Sequence, residues 1–395
     1  MTDTIIIAFC SLLLIAYLFN LTASKTKVPS VILLLLMGWG VSKVTLFLEY
    51  ELPDFSSLLP VIATVGLVLI VLEGSLELQL NSSKIKVIKK SFLGALASIV
   101  VLALILSFVF QYMTGASLKA SILNAIPLCV ISSAIAIPSI GSVSKLNKEF
   151  IIYESSLSDI FGVLLFNFIA LNDNINFYSF GEFGLQLLVM IIISFAATLG
   201  LSWLLRKIDH HVKFIPIILL VVLIYSVAKT YHLPALIYVM IFGLSIGNIG
   251  QFKQVTWARQ LDTIALQNEI KKFKELVIEG AFLVRALFFT LFGYLLKTEE
   301  ILNGETFKWA IGIVLLVYIL RAVQLKVSKL SLNPLLFIAP RGLITVLLFI
   351  SISPLDHISL VNDSLVIQII ILSALVMTFG LVLSGKKKEH ISLDH

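Results

Sequence analysis

Seven ionisable residues lie deep within predominantly apolar stretches: Glu73, Glu154, Asp159, Glu279, Arg285, Arg321 and Arg341, with Glu77, Lys326 and Lys329 set aside because they sit near the ends and can snorkel. Charge is costly in an apolar layer, so each is a candidate for ion handling. The densest group is Tyr153-Glu154-Ser155-Ser156-Leu157-Ser158-Asp159-Ile160-Phe161-Gly162. At about 100° per residue on a helix, Ser155 and Asp159 fall one turn apart on one face. Glu154 and Ser158 share a neighbouring face, with Glu154 turned about 140° away from Asp159. The two carboxylates are therefore expected to do different jobs, one facing a water-filled cavity and one pairing with an arginine inside the bundle. Arg321, in Tyr318-Ile319-Leu320-Arg321-Ala322, is the expected partner of Glu154 in a structural ion pair. The helical neighbours of Asp159 are Ser155, Gly162 and apolar groups, which leave its charge uncompensated. A hydrogen-bonded structural carboxylate is the weaker alternative for Asp159. A carboxylate withdrawn from water is stable with a proton or a cation bound and costly with neither. That competition is all an exchanger needs.

Composition says which elements must hold these residues. The chain has 395 residues, of which 59% are hydrophobic and 13% charged. Soluble domains run at roughly 45–50% apolar and about 25% charged. Mean hydropathy is +1.04, and uncharged stretches of about 20 residues, each long enough to cross a bilayer as a helix, recur from end to end. A soluble enzyme, a nucleic-acid reader and a disordered regulator are excluded. The net charge of +6 is read as loop topology. Cys10 and Cys129 lie in apolar runs without a CxxC or a neighbouring His, which argues against a disulfide scaffold or a zinc site. The first apolar stretch lacks a basic leading region and is read as a helix that stays.

Breaks at charge clusters, Pro, Gly and Asn give thirteen candidate helices, at about 4–22, 28–48, 56–80, 91–112, 116–143, 149–171, 181–206, 213–229, 233–250, 275–296, 305–327, 332–352 and 364–384. Gln251 to Lys274 is read as a polar connection, with an interfacial helix as one form of it. Loops on one side hold 21 lysines and arginines against 5 on the other, which predicts the N-terminus outside and the C-terminus in the cytoplasm. Two spans carry helix breakers. One reads Asn124-Ala-Ile-Pro127-Leu-Cys-Val-Ile-Ser132-Ser133-Ala-Ile-Ala-Ile-Pro138-Ser139-Ile-Gly141, the other Asn333-Pro334-Leu-Leu-Phe-Ile-Ala339-Pro340-Arg341-Gly342. Seven spans apart, they cross in opposite directions, as in an inverted repeat with a binding site at the midplane. Kinks without function are the alternative, which the polar and charged residues at both breaks disfavour.

These residues resemble the monovalent cation:proton antiporter superfamily, most closely its NhaP-type sodium/proton branch. The resemblance covers nearly the whole chain. It rests on Lys27-Val-Pro29 to Gly38, on Val71-Leu-Glu73-Gly74-Ser-Leu-Glu77-Leu, and on the Glu154-to-Asp159 segment, which is similar to an E-S-x-x-N-D motif. Phe288-Phe289-Thr-Leu-Phe-Gly293 and Pro340-Arg341-Gly342-Leu343 complete it. The resemblance implies an all-α polytopic membrane protein, with thirteen transmembrane helices in inverted repeats and two discontinuous crossing helices. It is expected to form a single membrane transport domain over 1–395 without a soluble domain. A core bundle at about 91–171 and 305–384 would move against dimerising panel helices at about 4–80 and 181–296, exposing the site alternately to each side.

The resemblance makes Asp159 the ion- and proton-binding carboxylate. Ser155 and the unwound backbone near Ser132 would add oxygen ligands, with Asp159 and Ser155 meeting Na⁺ transiently. Ser133 and Ser158 belong to the same candidate set, Glu73 would line the cytoplasmic approach, Glu154 would pair with Arg321, and Arg341 would offset helix-dipole ends at the crossing. Two departures bear on selectivity. Ser158 stands where the family has Asn or Asp, and Ser132-Ser133-Ala134 stands where it has Thr-Asp-Pro, closer to a KefC-type potassium-efflux pattern. Without a second adjacent carboxylate, exchange of one cation for one proton is expected. The implied function is antiport of Na⁺ or Li⁺ against H⁺ in pH and sodium homeostasis, by a homodimer in the inner (plasma) membrane and without a cofactor. The alternatives are K⁺/H⁺ antiport or KefC-like potassium efflux, then a sodium-coupled organic-anion symporter. No HExxH, GxSxG or Asp-x-Asp pattern within a span points to an enzyme. Glu279 receives no site role and Arg285 none beyond facing the interface between core and panel, and His210, His211, His232, His357, His390 and His395 lie in loops or near ends.

Overall fold

The computed structural model describes residues 2–26, 28–49, 58–78, 84–140, 143–172, 176–207, 214–231, 233–249 and 264–391. His210, His211, His232 and His395 lie outside them. Among the described residues there is no strand. Nine helices there are long and apolar enough to cross a membrane, and shorter apolar helices occupy Phe9–Ala23, Phe214–Thr230 and Ala235–Gly247.

In chain order the helices are α1 (Thr2–Thr26), α2 (Ser30–Phe47), α3 (Leu59–Glu77), α4 (Ile85–Thr114), α5 (Leu118–Cys129), α6 (Ser133–Ser139), α7 (Lys145–Leu171) and α8 (Phe177–Lys207). They continue with α9 (Phe214–Thr230), α10 (Ala235–Gly247), α11 (Ile264–Leu295), the single turn α12 (Thr298–Ile301), α13 (Gly304–Val327), α14 (Leu343–Ile350) and α15 (Asp363–Ile391). A 3₁₀ turn at Leu335–Phe337 precedes α14.

Local signals set several of these ends. Ser117 caps α5 by accepting a hydrogen bond from the Ala120 N–H at 3.1 Å. Asn303 caps α13 by accepting from the Glu305 N–H at 3.1 Å. The sequence reading begins the tenth span at 275 because polar residues crowd 264–274, but α11 begins at Ile264. Leu266, Phe273 and Val277 recur at helical spacing on one buried face, which carries the helix through the charged turns between them. At the other end, α15 runs past Ser384 to Ile391.

Packing sorts the helices. α2 and α3 pack on α11, α3 on α10, and α10 on α8 and α9. Separately, α4, α5 and α7 pack together, α13 packs on α4 and α15, and α14 packs on α5 and α7. The two groups meet where α3 touches α7 and α14, and where α10 touches α7. The stretch Leu118–Ser139 is 89% buried, against 17% for Tyr178–Gly200. The interrupted helix therefore lies in the middle of the protein, and α8 lies at its edge.

The first span is interrupted between Pro127 and Pro138, which lie inside its two helices, whereas in the second, expected as a helix from 332, a 3₁₀ turn stands in place of a first half-helix. α5 stops at Cys129, residues 130–132 run extended, and α6 restarts at Ser133. In the second break the chain is non-helical from Ile338 until α14 begins at Leu343. The two breaks touch through the Ser132 N–H, which donates to the Pro340 carbonyl at 2.8 Å. Gly342 permits this approach, because a Cβ there would stand 2.6 Å from Ser132 Oγ and 2.7 Å from the Ile135 side chain. Gly342→Ala is expected to cost about 1–3 kcal/mol by overpacking and to lower the melting temperature in detergent. Gly312→Ala, which meets nothing within 4 Å, is the matched control expected to leave the melting temperature unchanged or raised.

Candidate functional site

Asp159 lies on α7 against the start of α6 and is 3% exposed. Its Oδ2 accepts hydrogen bonds from the Ser133 hydroxyl and, at 3.3 Å, from the Ser133 N–H. Its Oδ1 is buried with no hydrogen-bond partner among the described residues. Ser132 Oγ and Ser156 Oγ are buried and unpartnered in the same way. Ser155, one turn before Asp159, donates its hydroxyl to the Ile151 carbonyl at 2.8 Å and keeps its lone pairs free. Ser158 accepts from the Ile131 N–H at 2.9 Å, pinning the extended segment onto α7. Several serines thus lie on or next to the elements that hold Asp159, and the acid has no cationic partner among the described residues.

The other acid of α7 has a different environment. Glu154 Oε1 accepts from Arg321 Nη1 and from Gln324 Nε2, both at 2.5 Å. Arg321 also donates to the Leu335 and Ile338 carbonyls, each at 3.3 Å, which fastens the pair to the second break. Gln324 in turn accepts from the Ser98 hydroxyl at 3.0 Å. Gly94 leaves the room for this, since a Cβ there would stand 2.5 Å from Gln324 Nε2.

Arg341 serves the first break from the second. Its guanidinium donates to the Leu128 carbonyl at 2.9 Å, the Cys129 carbonyl at 3.3 Å and the Ala339 carbonyl at 2.7 Å. Leu128 and Cys129 end α5, so the positive charge sits at the negative end of a helix whose last carbonyls have no intrahelical donors. Ser373 fixes the Arg341 backbone by accepting its N–H at 3.0 Å.

Two cavities lie near the elements that carry Asp159, one beside Ser133 and one beside Val163. A small one of about 30 Å³ is lined by Glu73, Gly74, Glu77, Ser133 and Arg285. Glu73 Oε2 stands 3.8 Å from Arg285 Nη2 across it. A larger one of about 420 Å³ opens between Thr64, Val163, Asn167, Tyr225, Lys229 and Leu348. Val163, which lines the larger cavity, is one helical turn from Asp159 on α7.

The structure thus brings Asp159, Ser132, Ser133, Ser155 and Ser158 together, places Glu73 beside Ser133, and sets Glu154, Arg321 and Arg341 on the two breaks. Of the residues without a sequence-derived role, Arg285 joins the small cavity, whereas Glu279 is exposed on α11. Gln324 and Ser373 were missed. A polar side chain three residues after Arg321 on the same helix face was a signal for Gln324. No spacing rule pointed to Ser373.

Removing one member of the Glu154–Arg321 pair strands a buried charge, at a cost of about 3–5 kcal/mol. Arg321→Gln is expected to lose most folded protein in detergent, and the double variant Glu154→Gln/Arg321→Gln to recover a large part of it. Equal thermal stability of the single and double variants would contradict the pairing.

With this geometry established, the chain can be set beside known proteins. A structure of the sodium proton antiporter MjNhaP1 from Methanocaldococcus jannaschii at pH 8 matches with a TM-score of 0.66 and 17% identity, over 100% of this chain and 99% of that one. A second structure of MjNhaP1, from an electron-microscopy map, matches at 0.67 and 19%, over 100% and 98%. At these identities the likeness establishes the fold. No curated protein sequence matches the chain. The profile of the transmembrane sodium/hydrogen exchanger family matches residues 10–385. The chain therefore belongs to the sodium/hydrogen exchanger family: it is an integral multi-pass membrane protein that exchanges monovalent cations for protons, a transporter and not an enzyme.

Proposed function

We propose that the protein exchanges Na⁺ or Li⁺ for H⁺ at Asp159 by alternating access, one cation for one proton. The observation that carries this reading is the buried Oδ1 of Asp159, unpartnered among the described residues. Ser132, Ser155 and the Ser133 hydroxyl supply neutral oxygens for a hard cation. When the cation leaves, a proton takes its place on the carboxylate, because a bare charge there has no counter-charge. Ser133 and Ser158 stand where a second acid would sit, so one titratable group accounts for one proton and no net charge moves. Ser158 contributes by holding the extended segment in place.

Alternating access then amounts to moving the barrier between the two cavities. The group containing α4–α7 and α13–α15, about 91–171 and 305–384, moves against the panel of about 4–80 and 181–296. Thirteen crossings, with the N-terminus outside and the C-terminus in the cytoplasm, fit the 21-to-5 bias of basic residues. In that orientation Glu73 lines the cytoplasmic approach. The panel supplies a homodimer interface in the inner (plasma) membrane, and the physiological role is pH and sodium homeostasis. A second reading, K⁺/H⁺ exchange, is favoured by Ser133, since losing a carboxylate ligand weakens the preference for a small, strongly hydrated cation.

Dissipation of a pH gradient in everted vesicles from antiporter-deficient cells tests the reading. Na⁺ or Li⁺ is expected to collapse the gradient, and Asp159→Asn to abolish the response. An imposed membrane voltage is expected to leave the rate unchanged. A response to K⁺ alone selects the second reading. No response to any cation between pH 6 and 9 sinks cation exchange and points to organic-anion symport.

A further inference from the structure

Arg285 projects from α11 into the small cavity, which it lines with Glu73 and Glu77 of α3 and Ser133 of α6. Its Nη2 is 3.8 Å from Glu73 Oε2, and the two side chains are only 12% and 17% exposed. That distance exceeds a direct hydrogen bond, so the pair is held by attraction without a hydrogen-bonded lock. One more charged group stands nearby, Lys274, 4.0 Å from Glu77. Glu73 and Glu77 are one turn apart on α3, while Lys274 and Arg285 are about three turns apart on α11. Of the two basic groups, only Arg285 reaches the cavity wall beside Ser133.

A cation moving toward Asp159 by way of Ser133 passes Glu73 in a space of about 30 Å³, on the order of one water molecule. A guanidinium and a metal cation cannot both hold the carboxylate there, since each repels the other. We propose that Arg285 is a tethered competitor for the transported cation at Glu73. It occupies the carboxylate when the approach is empty, yields to an arriving cation, and returns as that cation moves on. Glu73 thereby guides cations without trapping them, and Arg285 sets the cation concentration at which this face half-saturates. Chemistry at Asp159 is unaffected. The inference rests on the exchange reading, in which Glu73 lies on the cation path.

The test uses full-length protein in proteoliposomes, measuring cation-driven pH change against Na⁺ concentration, or against K⁺ if wild type responds only to K⁺. Arg285→Gln is expected to lower the half-saturating concentration by about threefold or more, and Arg285→Lys, which keeps the charge, to stay within about twofold of wild type. Adding Arg285→Gln to Glu73→Gln is expected to change nothing further, because the contested carboxylate is gone. A half-saturating concentration that is unchanged or raised in Arg285→Gln overturns the proposal, since a merely structural arginine would not improve affinity when removed. If Arg285→Gln does not accumulate, Glu73→Gln alone decides. It removes the carboxylate that guides the cation and is expected to raise half-saturation at least about fivefold, and a value within about twofold of wild type overturns the proposal. Wild type inactive with Na⁺, Li⁺ and K⁺ would overturn the exchange reading itself, an outcome distinct from an active wild type with an indifferent Arg285→Gln.

Discussion

Helices that stop within an apolar layer expose backbone N–H and C=O groups where no water is at hand, at several kcal/mol for each group left unmade. This protein has two such interruptions at its centre, and several of its buried polar residues answer to them. Ser132 N–H meets the Pro340 carbonyl, and Ser158 takes the Ile131 N–H. Arg341, carried by the second break, holds the last carbonyls of the helix before the first. Arg321, from α13, holds two carbonyls of the second break. Each break is thus secured from outside its own segment, and neither can shift alone.

That division of labour determines which acid is left over. Three arginines and three carboxylates lie deep in the described spans around the crossing. Arg321 takes Glu154, Arg285 stands off Glu73, and Arg341 spends its donors on carbonyls. Asp159 has only the hydroxyl and N–H of Ser133, both on one oxygen. The remaining oxygen is buried and has no hydrogen-bond partner among the described residues. A carboxylate held this way is stable with a proton or a cation bound and costly with neither, which is why we propose it as the exchange site of this family member. The first break creates a negative helix end that Arg341 neutralises, and Asp159 beside it is left without a counter-charge among the described residues.

The sequence announced the breaks through Pro127, Pro138, Pro334 and Pro340, and it announced the charges because an apolar background makes them conspicuous. Helical periodicity separated Glu154 from Asp159 by angle alone, and the two acids do have different neighbours. What periodicity cannot supply is the partner across the bundle. Ser158 reads as a ligand from its place beside Asp159, yet its hydroxyl is engaged by a backbone N–H from a segment 27 residues earlier. Gln324 is neutral and therefore invisible to a search for charges. Arg285 falls in no motif, and only packing of α3 on α11 puts it opposite Glu73. The early start of α11 was masked by lysines that share its turns with Leu266 and Phe273.

The claim at the centre of this account is that one carboxylate holds either a cation or a proton. Proton release measures it directly: Na⁺ is added to purified protein in lightly buffered detergent solution, and released protons are counted against bound Na⁺. One proton per cation bound is expected from wild type, and no release from Asp159→Asn. Stoichiometric Na⁺ binding without proton release from wild type would contradict it.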